Sequence, residues 1–309
     1  MATKRVSAKS WRHDPISLTL GSRRATSGTD VLIFRVKVGP RGGGGPAPEG
    51  IDPFSYAAVR NQRGVVQVLL GAGANVEAVS FEGNMGWATP VHHAAFQSDD
   101  HAAVIKDLLA HGANPNAISS AGSTAIHTAA EHDRLAAVAL LEDAGAIVDV
   151  HIAVILGRVD VVKRFLAASS AWLEAEDGYR SATPIYFAAK SNRPDIVRLL
   201  AEHGARLDKP DNYGWTAALN AVSYAVSDAL LALADMGADL NFRSLNDRWG
   251  LPKGNNVLHA SVRQGFDVAV FERLVQGGAD RTCRDSKGEL PVDVARANGK
   301  DSLVEVLTV

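Results

Sequence analysis

One short phrase returns along this chain of 309 residues. Thr89-Pro90-Val91-His92-His93-Ala94-Ala95 comes back as Thr124-Ala125-Ile126-His127-Thr128-Ala129-Ala130, and again as Thr183-Pro184-Ile185-Tyr186-Phe187-Ala188-Ala189. Each copy runs into an apolar stretch and then Gly-Ala, as in Leu108-Leu109-Ala110-His111-Gly112-Ala113-Asn114. Such a period does not describe one closed core. Each unit is a supersecondary element that buries its apolar face only against its neighbours, so the chain is constrained to a stack.

The register can be followed through eight units. The place of the first His in the phrase falls at Ser55, His92, His127, His151, Tyr186, Leu219, His259 and Asp293, at steps of 37, 35, 24, 35, 33, 40 and 34 residues. Within a unit, the distance from the Thr position to the Ala of Gly-Ala stays near 22–24 residues. A pair of short helices is therefore kept, and length varies in the connection to the next unit. Local chemistry agrees. Thr183 is an N-cap candidate, its hydroxyl expected to accept a helix N–H, and Pro184 suits the first helical position. Asn192 takes the left-handed turn, Pro194-Asp195 opens the second helix, and Gly204 closes it. Ile196, Val197, Leu199 and Leu200 form its apolar face.

These elements, recurring together and in order, resemble the ankyrin repeat. The resemblance implies an all-α solenoid of about eight helix-turn-helix units with short hairpin-like loops, occupying residues 51–309. Departures from the pattern locate the individuality of the chain. Between units three and four one loop is deleted, because Ala146-Ile147-Val148-Asp149-Val150-His151 runs on with about nine residues missing. This predicts a break in the row of loop tips, with His151 still helical. Between units six and seven the connection is about seven residues longer, spanning Arg243 to Asn255 and carrying Trp249. Another excess of about four residues lies near Phe81–Trp87. Units one and eight lack the Thr and His, as end units meeting water commonly do.

Residues 1–50 differ. They hold nine Lys/Arg against three Asp/Glu, while the remainder holds 23 against 31. Val31–Val38 reads as one strand, and Gly39–Pro48 as a Gly/Pro linker. The segment is expected to be a basic, mostly disordered tail or a transit segment. The mild acidity of the array argues against nucleic acid as its partner. No apolar run is long enough to span a bilayer. Cys283 is the only cysteine, which excludes internal disulfides and thiolate clusters and fits a cytoplasmic setting.

Nothing in the sequence supplies catalytic machinery or a cofactor cradle: there is no Gly-x-Ser-x-Gly elbow and no P-loop. Of ten histidines, His92, His127, His151 and His259 share one register position, too far apart for one ion. The resemblance gives them a structural role, tying neighbouring turns together. His92-His93 with Asp99, Asp100 and His101 matches no metal-binding spacing. Trp215, at the end of a loop, is assigned to packing.

The resemblance places recognition on the concave face made by loop tips and first helices, and implies a monomeric scaffold for a protein or peptide. The exposed first-helix positions should be His93, Phe96, Gln97, Thr128, Glu131, His132, Phe187, Lys190, Asn220, Arg263 and Gln264, with Trp249 on the long loop. The alternatives are a ligand-regulated sensor using the 243–255 loop, or a non-catalytic regulatory subunit of an enzyme.

Overall fold

A computed structural model describes residues 16–24, 30–38, 52–82, 86–245 and 252–308. Among these, sixteen α-helices form eight successive pairs. The first four pairs are α1 (Pro53–Val59) with α2 (Arg63–Gly71), α3 (Pro90–Phe96) with α4 (Ala102–Ala110), α5 (Ala125–Glu131) with α6 (Leu135–Asp143), and α7 (Val150–Ile155) with α8 (Val159–Ala168). The others are α9 (Pro184–Lys190) with α10 (Pro194–Glu202), α11 (Ala217–Ser223) with α12 (Ser227–Asp235), α13 (Val257–Gln264) with α14 (Val268–Gln276), and α15 (Pro291–Ala297) with α16 (Asp301–Leu307).

Helices of six to ten residues are not stable alone in water, so burial between units holds them. The first helices pack in one row from α1 to α15. Ile126, Ile152, Ile185 and Leu219 from that row are fully buried against Leu108, Leu141, Leu200 and Leu230 of the second helices, as parts of one continuous core. Polar rungs join neighbouring units. Asn116 donates to the Gly145 carbonyl at 3.0 Å and accepts from the Ile147 N–H at 2.8 Å. Asn241 repeats the device with Gly278 and Asp280.

Caps set the helix starts. Thr124 and Thr216 accept from the N–H of His127 and Leu219, and Asp149 from that of Ile152. Thr183 sits at the cap position but its hydroxyl does not cap. The Tyr186 N–H, three residues on, bonds the Thr183 carbonyl instead at 3.0 Å. Asn192 takes a φ of +49° and Gly204 one of +90°, as the turns require.

Outward tips connect the pairs. Each is closed by a backbone bond, such as Ser119 N–H to Ser123, Asp177 to Ala182, Asp211 to Trp215 and Asp285 to Glu289. The tip before α3 is a short hairpin of β3 (Ser80–Glu82) and β4 (Gly86–Ala88). These follow β1 (Ile16–Arg24) and β2 (Asp30–Val38), which form a separate antiparallel hairpin. Val31–Val38, expected as one strand, thus has a partner in Ile16–Arg24, whose own apolar/polar alternation begins at Ile16-Ser17-Leu18-Thr19. The linker at 39–48 lies outside the described residues.

Between α6 and α7 the tip is missing, and His151 lies inside α7 as expected. The row of second helices, well packed over α2–α4–α6 and over α10–α12–α14–α16, is weakest at α8, whose principal contacts are α7 and a 3₁₀ turn at Ser170–Glu174. The expected gap in the tips is closed. The flanking tips meet backbone to backbone, and a Cβ on Gly122 would lie 2.6 Å from the Gly178 carbonyl oxygen. At the long connection, Ser244 and Asn255 close the base by a 3.0 Å backbone bond. Trp249, at its centre, lies outside the described residues.

Candidate functional site

Closure of the deleted tip shapes a concave pocket of about 250 Å3 on the tip-side face of the first helices. Its floor comes from α3 and α5 through Phe96, Thr128, Glu131 and His132, and from α9 through Lys190. One wall is the tip before α5, with Ser119, Ala121 and Ser123. The other is formed by Tyr179 and Arg180, Tyr213, and Tyr224 beyond α11.

Sequence position explains the convergence. Glu131 and Lys190 stand four residues after the phrase position in units three and five. The matching residue of unit four is Ile155, which is buried and apolar. With that position apolar and the tip deleted, side chains of units three and five meet across unit four. Arg180 Nη1 donates to Glu131 Oε1 at 3.2 Å, and Lys190 Nζ lies 3.1 Å from Glu131 Oε2. All three side chains are close to buried, at 14% exposure for Glu131, 13% for Arg180 and 9% for Lys190. Aromatic faces support the cations: Arg180 lies 5.1 Å from the Tyr179 ring centre and Lys190 5.2 Å from that of Tyr224. Phe96 and His132 pack edge to face at 4.6 Å.

Burial alone would raise the Glu131 carboxyl. Lys190 and then Arg180 outweigh it and hold the group down at about 2, so it is a carboxylate at neutral pH. His127, 3.9 Å from Glu131, is pushed down by burial despite that neighbour, and is neutral at pH 7. The pocket therefore holds two cations on one carboxylate.

The other histidines of the phrase are bridges. His92 Nε2–H donates to the Ser123 carbonyl at 3.1 Å, His151 to Ala175 at 3.0 Å and His259 to Glu289 at 3.0 Å. A carbonyl only accepts, so the proton is on Nε2, and His92 Nδ1 takes the Thr89 hydroxyl at 2.8 Å. Burial pushes His92 down to about 4. His127 has no such tip to reach. Its ring stacks on His151 at 6.4 Å and tilts against Phe187 at 5.6 Å.

Five expected residues, Phe96, Thr128, Glu131, His132 and Lys190, line this pocket. None of the expected residues among those described is fully exposed; most are half-buried, and three, His93, Phe187 and Asn220, are buried. These three share the position one after the phrase residue, in the first turn of the helix. His93 bonds Ser80 of β3 at 3.2 Å, and Asn220 donates to the Tyr186 carbonyl at 3.3 Å. Phe187 packs against His127, His151 and Tyr186. Gln97 is half-buried beyond α3. Arg263 and Gln264 lie away from the pocket, Arg263 bonded to Asn255 at 2.9 Å and Gln264 at the Ser223 carbonyl. Trp215 is a packed side chain. Tyr179, Arg180, Tyr213 and Tyr224 were not among the expected residues: they lie on tips or just beyond α11, outside the first-helix positions predicted for every expected residue except Trp249. The shortened step before His151 was the available signal.

Around His93, no metal-like arrangement forms. His101 turns to the Val59 carbonyl at 2.8 Å, and among the described residues no group of three His, Cys, Asp or Glu could hold an ion. Cys283 is buried and accepts from Arg243 at 3.2 Å. No helix among the described residues is long and apolar enough to cross a membrane.

Fold and groove define a helix-pair repeat solenoid. The family profile for ankyrin repeats (3 copies) matches residues 54–151 and 150–244, and the chain belongs to the ankyrin repeat family. A B-cell lymphoma 3 protein homolog of Mus musculus is 26% identical over 252 residues, covering 81% of this chain and 49% of that protein. E3 ubiquitin-protein ligase KEG of Arabidopsis thaliana is 26% identical over 269 residues, covering 80% of this chain and 16% of its own length. Ankyrin repeat and SOCS box protein 11 of Danio rerio is 34% identical over 113 residues, 36% of this chain and 35% of that protein. Among solved structures, the human ASB11 ankyrin repeat domain covers 83% of this chain and 96% of its own, with a TM-score of 0.46 and 23% identity. The chain thus spans no more than about half the length of these curated relatives.

Proposed function

We propose that this chain is a non-catalytic, monomeric scaffold, acting in the cytoplasm, that holds a protein or peptide partner in the groove between tips and first helices. The observation that carries this reading is the pocket at the deleted tip, where side chains of units two to six converge without being needed for the helix-pair core. Its volume of about 250 Å3 lies below the roughly 300–1,000 Å3 of small-molecule sites, and suits anchor side chains of a larger partner. Arginine and tyrosine, prominent in its wall, are the residue types that dominate recognition energetics. Membership of a family built for protein contacts supports the same reading, as do relatives in which such an array accompanies other segments.

A photo-reactive residue at Ala121, in the pocket wall, should form an adduct with a discrete partner from native lysate. The same probe at Arg198, exposed on α10, should not. An adduct formed from Arg198 alone would place recognition elsewhere and overturn this account.

A further inference from the structure

We propose that the pocket between units three and five is an acidic-side-chain subsite, receiving an Asp or Glu carboxylate of an extended peptide beside an apolar residue seated on Phe96. The inference rests on the groove reading and adds the chemistry of the partner.

The charge count is the first argument. The lining brings together one carboxylate, Glu131, and the side chains of Arg180 and Lys190, so this ion triad carries a formal excess of one positive charge. That charge is largely removed from water, where an unbalanced ion is costly. One incoming carboxylate would balance it. A phosphoryl group, with about −1.5 to −2 charge near neutral pH, would overshoot. The second argument is donor capacity. A guanidinium has five N–H donors in a planar fork, and Arg180 directs Nη1 to Glu131, leaving the fork suited to a second, planar carboxylate. The third is the neighbouring surface. Phe96, edge to face with His132, presents a half-buried apolar shelf on the same floor. A carboxylate and an apolar side chain one to three positions apart on a peptide would use both.

The test is selection of unphosphorylated random dodecapeptides on phage against the full chain, followed by fluorescence anisotropy with labelled synthetic peptides. Selected peptides should share an Asp or Glu near an aromatic or aliphatic residue. Changing that Asp to Asn should weaken binding about tenfold or more, the scale of a charge-assisted hydrogen bond. On the Arg180→Gln variant, checked for helicity by circular dichroism, the same peptide change should have little further effect. The peptide substitution needs no altered protein, so it decides even if that variant misfolds. If peptides lose binding on Phe96→Ala but tolerate Asp to Asn, the groove stands and the carboxylate subsite is wrong. If selected peptides ignore both protein substitutions, or none is enriched, both readings fail.

Discussion

The contact between the tips that flank the deletion can be weighed with a matched set of glycine substitutions. Gly122 has a φ of +79°, and a Cβ there would meet the Gly178 carbonyl oxygen at 2.6 Å and its carbon at 2.8 Å. Gly112, after α4, has a φ of +88° with nothing within 4 Å of its added Cβ. Alanine at either pays the left-handed strain, about 1–2 kcal/mol. Only Gly122→Ala must also push two backbones apart, an overpacking cost of about 1–3 kcal/mol, because no flexible side chain can yield. Gly178→Ala meets the Gly122 oxygen at 3.0 Å without a positive φ, and should fall below both combined. Urea unfolding followed by circular dichroism reads the three differences directly. If Gly122→Ala and Gly112→Ala cost the same within about 0.5 kcal/mol, the tips do not touch and the account of the closed gap is wrong.

Two further outcomes follow from burial. Phe187→Ala removes a fully buried ring from among His127, His151 and Tyr186 and should cost about 3–5 kcal/mol in urea unfolding; a loss below 1 kcal/mol would mean the ring is not packed as described. His92 is held down to about 4 against an ordinary 6.5, so the unfolded chain takes the proton first. Its contribution is complete above pH 6.5 and is lost as pH falls towards 4, about 3 kcal/mol at most. Unfolding midpoints across that window should slope less in His92→Gln, and an unchanged slope would refute the assignment.

The helix pairs were legible in the sequence because their causes are local: Pro194 at a first helical position, and Asn192 and the Gly-Ala closures in left-handed turns, whereas the cap expected of the Thr183 hydroxyl is not made. The missing tip was legible too, as a step of 24 residues between His127 and His151. Its consequences were not. Whether a gap stays open depends on how Gly122 and Gly178 approach, a contact across 56 residues that no local pattern encodes. The pairing of Glu131 with Arg180, 49 residues apart, is hidden for the same reason. The misplacement of His93, Phe187 and Asn220 has a different origin. A helical wheel gives angle but not depth: Phe187 and Asn220 pack against the neighbouring first helices and His93 against Ser80.

The ion triad at the deletion also distinguishes stability from function. In units two, four and seven the phrase histidine spends its Nε2–H on the next tip. Losing that bond in unit three costs about 1 kcal/mol, which Glu131, Arg180 and Lys190 do not have to restore. Nearly buried ion groups attract strongly but also lose their hydration, and well-packed apolar replacements of similar size are often neutral or stabilising. Removing one member is different, since it strands the others. Glu131→Ala should therefore cost about 3 kcal/mol or more, whereas Glu131→Met, Arg180→Leu and Lys190→Met together should leave stability within about 1 kcal/mol of the parent. The triple variant should nonetheless bind no acidic peptide. A triple variant that unfolds while the single one is tolerated would make the triad a brace for the shortened unit. Retained stability with lost binding would mean that these charges are kept for what enters the groove.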